Sequence, residues 1–447
     1  MKLIETLKNI WKIEDLRKRL VTTFLFIVIY RFGCHVVLPG INPSDLEAMR
    51  NFTSGGLMQL LDMFSGGAFG QASIFALGIM PYITASIVIQ LAGMIMPSFQ
   101  KMQREGESGR MKLNQYTRYL TVIILLFQAP AYLANLQYQV NAAGGHANIM
   151  GNVPMLVYLS LVLTAGAMMI MWLGEKITDK GIGNGISIII LVGILARFPG
   201  AIIQEFTSRL NTAQGGLVMF LVEIVVLFMV TAGAVMLTQG TRKVPVQYAK
   251  RIVGNKQYGG ARQYIPLKVN AANVMPIIFA QALMFIPITL AGFGARQDAA
   301  GIGGWISRNF GDMNGLLYNV VYFLMIVAFT YFYTAITVRP TQMAEEMKKN
   351  SGFIPGIKPG KKTAEYLDSI MSRITLPGSL FLGIVAILPA FARYFGINQQ
   401  FAQFFGGTSL LITVGVVLDT LQQIETHLMM HHYDGLMKSG KLKGRNR

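Results

Sequence analysis

LLDMFSGGAFGQASIFALGIMPYITASIVIQLAG, residues 60–93, is the stretch on which the architecture turns. It opens with a half-apolar piece, passes through Gly66, Gly67 and Gly70, and runs into a full-length apolar span interrupted by Pro81. A bilayer core about 30 Å thick needs roughly 20 apolar residues of helix to cross it. The first piece is too brief for that, so the pattern reads as a re-entrant segment leading into a helix. Lipid offers no water to a free peptide group, so non-helical backbone at membrane depth survives only where protein buries it or where it lines an aqueous cavity. The stretch therefore argues for a pore or cavity, with an ordinary external loop as the plain alternative.

The rest of the chain is of the same kind. Of 447 residues, 53% are hydrophobic and only 13% charged, against about 25% charged in soluble domains. Ten candidate spans start near Val21, Ile74, Tyr119, Val153, Gly185, Gly215, Val269, Gly315, Thr375 and Thr408. An even count returns both termini to one side. On that side Lys and Arg number six in 1–20, five in 97–118, two in 174–184, seven in 239–268, seven in 339–374 and five in 429–447, which is 32 of 39. The opposite side holds Arg50, Arg197, Arg209, Arg296, Arg308 and Arg393, while Arg31 lies toward the outer end of the first span. Cytoplasmic loops collect such cations, so both termini are expected in the cytoplasm. Topology thus accounts for most of the net charge of +18, which is no nucleic-acid footprint by itself. The apolar segment from Val21 to Val37 follows a long charged lead and precedes no A-x-A-like site, so it is expected to stay as the first span rather than be cleaved as a signal.

Two loops on the cationic side carry more than topology needs. Residues 239–268 hold seven cations and no Asp or Glu, interleaved with Tyr248, Tyr258 and Tyr264, a surface suited to an acidic or RNA-rich partner. Residues 339–374 mix both signs around SGFIPGIKPGKKT, where Gly and Pro should fix a projecting tip. Ten spans divide as five and five, residues 1–210 and 211–447. An odd number of spans per half forces any repeat to be inverted.

Chemistry of other kinds is sparse. His427 and His431 share a helix face at i, i+4, but no HExxH frame surrounds them, and His35, His146 and His432 complete no ligand set, so neither metal nor cofactor is expected. Cys34 has no partner for an internal disulfide and reads as a small packing residue. GIKPGKKT lacks the glycine a phosphate loop needs, position 355 being Pro355, and GIGNG at 181–185 precedes a span, where glycines permit close helix approach. Glu223 and Asp419 are the notable carboxylates inside spans, and as two isolated residues they make no proton relay; either a packing hydrogen bond or a functional role remains open for each.

MFSGGAFGQASIFALGIMPYITASIVIQL (63–91), GESGRMKLNQYTRY (106–119), MWLGEKITDKGIGNGISIII (171–190), IPLKVN (265–270), SGFIPGIKPGKKTAEYLD (351–368) and FGGTSLLI (405–412) together resemble the SecY family, the channel subunits of the bacterial Sec translocase. The likeness runs in order along nearly the whole chain. It implies an all-α polytopic membrane protein of ten helices, two inverted halves around a central pore, and a plug at about 60–75. The pore ring it implies consists of Ile79, Ile83, Ile186, Ile190, Ile278 and Ile412. The i, i+4 spacing lets one helix give two side chains to such a ring, although isoleucine on a helix is otherwise plain core or lipid-facing residue. The implied plug, a short helix, includes Leu60, Leu61, Met63, Phe64, Gly66, Gly67, Phe69 and Gly70, and the implied lateral gate carries Gln90 and Asn270. Arg242, Lys243, Lys250, Arg251, Lys256, Arg262, Lys358, Lys361 and Lys362 fall in the loops that the family uses to bind the ribosome and the motor ATPase SecA. Lys358 stands where arginine is common in the family, which replaces a planar fork by a point charge.

The resemblance further implies a passive, gated protein-conducting channel, not an enzyme, in the bacterial cytoplasmic membrane. Small subunits resembling SecE and SecG would accompany it, and secretory and membrane-protein chains would be its substrates. An ion-coupled secondary transporter of a small solute is the rival from another class, since inverted halves and a broken helix suit it too.

Overall fold

A computed structural model describes residues 11, 13–41, 62, 65–142, 153–211, 216–248, 251–253, 256–258, 262–281, 283–284, 309 and 315–438. Helices dominate. In chain order α1 is Glu14–Gly33, α2 Met80–Ile95, α3 Pro97–Arg104, α4 Glu107–Ala142, α5 Val153–Lys180, α6 Gly185–Asn211 and α7 Gly216–Gln239. Four strands follow, β1 Thr241–Tyr248, β2 Arg251–Val253, β3 Lys256–Tyr258 and β4 Arg262–Lys268. Residues 275–281 are helical. Then come α8 Leu316–Thr337, α9 Pro340–Lys349, β5 Gly352–Phe353, α10 Lys361–Tyr394, α11 Gln399–Ala402 and α12 Gly407–Lys438. Among the described residues seven helices are long and apolar enough to cross a membrane, and α2 with α3, bent by 102° at the break between them, passes the same test as a pair. The chain is a polytopic helical membrane protein, consistent with the expected ten spans.

Several helix starts differ from expectation, each for a local reason. The second span was expected from Ile74 with Pro81 interrupting it; instead residues 65–79 are turns and α2 begins at Met80 with the proline in its first turn. A first-turn proline has no amide bond to lose and its φ already suits a helix. Likewise 269–274 are turns, and the seventh span becomes helical only at 275. The ninth is longer than expected, α10 running from Lys361 rather than Thr375.

Two compact units make up the chain, residues 1–203 with 416–447, and residues 204–415. In the first, Leu38, Phe69, Ala72 and Ala76 pack with Ala129, Tyr132, Leu133 and Leu136 of α4 and Leu159 and Leu163 of α5. In the second, described parts of the loops expected at 239–268 and 339–374 pair as strands. Strand β1 pairs antiparallel with β4 (Thr241 opposite Lys268) and with β5 (Gln247 opposite Phe353), giving the order β4-β1-β5. Val244 and Val246 point inward with Leu267, meeting Met347, Ile354, Leu367 and Met371, while Arg242 and Lys243 stay exposed. Alternation of period two thus gives the loops a small core of their own and leaves the cations outside.

Candidate functional site

The re-entrant stretch lies in the first unit and is built from glycine, serine and apolar side chains. Gly66 and Gly67 take positive φ (65° and 93°), which side chains disfavour, so the chain turns sharply there. Residues 65–79 therefore form turns rather than the short helix the resemblance implied. Leu60, Leu61, Met63 and Phe64 lie outside the described residues. The peptide groups are satisfied from within: Gly67 N–H donates to the Asp62 carbonyl (2.8 Å), Gly70 N–H to Asp62 Oδ1 (2.7 Å), and Phe69 N–H to Ser65 Oγ (3.0 Å). Backbone pairing with residues 36–38 adds Leu38 N–H to Ala72 O and Ile74 N–H to Val36 O, both 2.9 Å.

Three helices hold this stretch in place. From α1, Arg31 Nη1 donates to Gly66 O (2.9 Å) and the Tyr30 hydroxyl to Ser65 O (3.3 Å). From α4, the buried Tyr132 hydroxyl donates to Phe69 O (2.8 Å), its ring edge-to-face with Phe69 at 4.8 Å. From α6, Arg197 forms an ion pair with Asp62, whose side chain is 6% exposed. Cys34 is buried with Sγ 3.8 Å from Ser65 O, in keeping with a packing role.

The glycine run 181–185 joins four helices of the same unit. Ile182 N–H donates to Thr23 Oγ1 of α1 (3.1 Å), Gly183 N–H to Gln423 Oε1 of α12 (2.9 Å), and Gly185 N–H to Thr178 Oγ1 of α5 (2.9 Å). Asn184 Oδ1 caps α6 by accepting from Ile186 and Ser187. A Cβ on Gly185 would overlap the Gly174 carbonyl, so glycine here serves close helix approach.

Ile79 caps α2 with Ile83 one turn on, and Ile186 and Ile190 occupy the first turns of α6; all four belong to the first unit, with Ile79 and Ile190 buried. Ile278, half-buried, and Ile412, buried in α12, belong to the second. Of the expected gate pair, Gln90 donates to Ser86 Oγ on its own helix (3.2 Å), while Asn270 is 2% exposed with its Oδ1 unpartnered among the described residues.

Glu223 is not the isolated carboxylate expected from the sequence. Arg209 Nη2 donates to Glu223 Oε1 (2.6 Å) and to Gly396 O (3.1 Å), Arg209 Nε to Glu205 Oε1 (2.8 Å), and Asn398 N–H to Glu205 Oε2 (2.9 Å). All three ionised side chains are at least nine-tenths buried. A buried carboxylate is tolerated when paired this way, and the signal in the sequence was an arginine 14 residues before it, at the end of the preceding helix. Asp419 is exposed on α12 and accepts from Gln423 Nε2 (3.3 Å). No cluster of metal-ligating side chains occurs among the described residues. In the loop module Lys358, Lys361 and Lys362 are exposed around Gly356 and Gly360, both at positive φ. Lys250 lies outside the described residues, and Arg251, Lys256 and Arg262 are placed on β2, β3 and β4.

Comparison with known proteins adds the rest. The SecY family model matches residues 73–421. The protein translocase subunit SecY of Streptomyces galbus is 43% identical over 435 residues, covering 96% of this chain and 98% of that one, and its counterpart in Mycobacterium tuberculosis is 42% identical over 436 residues, covering 95% and 97%. Among solved structures, a SecY protein studied for its plug domain aligns with a TM-score of 0.63 at 20% identity, covering 92% of each chain. The Sec61 channel of a canine ribosome complex aligns at 0.59 with 19% identity, again over 92% of each. These structures share the fold, and the long matches to the bacterial subunits carry the conclusion: this chain belongs to the SecY family.

Proposed function

We propose that this chain is the central subunit of a protein-conducting channel, passing unfolded polypeptides across a membrane and releasing apolar segments sideways into lipid. One observation carries the reading: turns at 65–79, in a chain of membrane-crossing helices, have their peptide groups met by protein. That is what a stopper seated in a water-filled pore requires. Ile79, Ile83, Ile186, Ile190, Ile278 and Ile412 form its constriction. Such a ring seals by dewetting when empty, makes no directional bonds, and so accepts any side chain in transit. Gln90 and Asn270 line the lateral gate. Leu, Ile, Phe and Val each favour the bilayer centre by about 0.3 to 0.6 kcal/mol and a charged residue opposes it by about 2.5 to 3.5, so partitioning alone sorts membrane anchors from secreted chains.

The halves 1–210 and 211–447 are an inverted pair. The chain lies in the bacterial cytoplasmic membrane with both termini in the cytoplasm and carries no chemistry of its own. The exposed cations of the loop module, Arg242, Lys243, Lys358, Lys361 and Lys362, dock a ribosome or a motor ATPase of the SecA kind; two of the similar folds come from complexes with a ribosome. SecE-like and SecG-like subunits clamp the halves. The Glu205–Arg209–Glu223 cluster is closed on itself by Asn398 and Gly396, which favours a channel over an ion-coupled transporter.

A photo-crosslinking residue at Ile190, with a secretory chain stalled halfway through membranes carrying the variant, tests this. An adduct that depends on both the stalled chain and the motor or ribosome is expected. An inserted, expressed variant that gives no adduct overturns the pore assignment.

A further inference from the structure

The seat of the re-entrant stretch contains a feature that packing alone does not call for. Asp62 and Arg197 are joined as an ion pair although every other restraint on the stretch is neutral or one-sided. The carboxylate is nearly buried, while the guanidinium is 32% exposed. Asp62 also organises the glycine turn through its own carbonyl and Oδ1, and Gly67 leaves room for Arg197, whose Nη2 would lie 3.3 Å from a Cβ there. The pair thus ties the start of the turn to α6, the helix whose first turns carry Ile186 and Ile190.

We propose that Asp62 and Arg197 are a latch: positioning residues whose ion pair sets how readily the stretch leaves its seat and hence how much driving force the channel needs to open. The proposal rests on reading residues 60–75 as the plug. Opening would place both groups in water, where their hydration replaces their contact, so the latch resists opening without making it prohibitive.

The test uses the chain with its companion subunits in phosphatidylethanolamine–phosphatidylglycerol vesicles, reading efflux of a small trapped dye. D62N keeps an acceptor for Gly70 and removes the charge; R197Q removes the other charge; R197K restores it. Each neutral variant should raise efflux about tenfold, the equivalent of about 1.4 kcal/mol. D62N/R197Q should leak no more than either single variant, and R197K should leak less than R197Q. A deletion of residues 65–70 separates the two readings. If the deletion leaks and the neutral variants stay as tight as wild type, or their effects simply add, the latch is refuted and the plug stands. If the deletion stays tight, the plug reading fails and the latch falls with it.

Discussion

Replacing Arg209 by glutamine should destabilise the second unit more than any surface change. Its guanidinium bonds Glu205 at 2.8 Å, Glu223 at 2.6 Å and the Gly396 carbonyl at 3.1 Å, and the two carboxylates are 1% and 2% exposed. Without the cation, two buried carboxylates face each other with, among the described residues, the backbone amide of Asn398 left to serve them. Removing one partner of a buried pair costs about 3 to 5 kcal/mol, most of it the penalty of the charge left behind. E223Q should behave differently. It takes one of two carboxylates from around one guanidinium, keeps an oxygen for Arg209 Nη2, and alters an Oε2 that already lacks a partner among the described residues. Losing the charge on that bond should cost about 1 kcal/mol. The double variant R209Q/E223Q should recover part of the R209Q loss, since one stranded charge disappears, and groups in contact couple by about 0.5 to 3 kcal/mol. Denaturant unfolding in detergent, followed for all three variants, measures this. An R209Q loss no larger than that of E223Q, or a double variant worse than the sum of the two, would refute the account of one cation satisfying two buried anions.

Close approach at two glycines gives a second prediction: G166A and G185A, whose new methyls would overlap the Ile74 and Gly174 carbonyls, should each lower the thermal midpoint of the purified protein, while G200A, with open space around it, should leave it unchanged or raise it. T23V strands the buried Ile182 amide and should cost about 1 to 3 kcal/mol in the same unfolding assay. K361E/K362E reverses two exposed cations at the tip of the loop module, so ribosome binding to membranes should weaken and its dependence on salt should become shallower. Binding unchanged at every salt concentration would remove the tip from the docking surface.

What the sequence made legible was whatever depends on composition and local spacing. Apolar runs and the distribution of Lys and Arg were sufficient for a polytopic membrane chain, and Gly66, Gly67 and Gly70 before an apolar span were sufficient for a non-helical stretch. The start of α2 was misread because a proline inside an apolar run looks like an interruption; only the turns before it reveal that it begins the helix. The loops were read as cationic docking surfaces with turns, and nothing local in them announced a sheet. Their strand pairing joins segments about a hundred residues apart, Gln247 with Phe353, which no local window contains. The charged residues were the hardest to place. Arg31, Arg197 and Arg209 were counted toward topology, yet Arg31 and Arg197 hold the re-entrant stretch and Arg209 holds two glutamates.

Those three arginines carry a physical lesson about this architecture. In a chain with so few charges, a cation on the side that topology leaves poor in cations has no orienting job to do. Where such a residue is also drawn into the protein, as Arg209 is and Arg393, exposed at the end of α10, is not, it must meet the cost of desolvation with a specific partner, and in lipid that partner is internal. Arg197 and Arg209 lie three turns apart on one helix, and each answers a carboxylate: Asp62 for the first, Glu205 and Glu223 for the second. Helix α6 therefore begins with the apolar pair Ile186 and Ile190 and continues into two ion-pair stations. On the proposed function the apolar turns suit a surface that must bind nothing, whereas the charged turns suit contacts that must hold and, in the proposed latch at Asp62, let go. On this view the cations opposite the positive side, being few, are where a sequence of this family should first be searched for the contacts that set its gating.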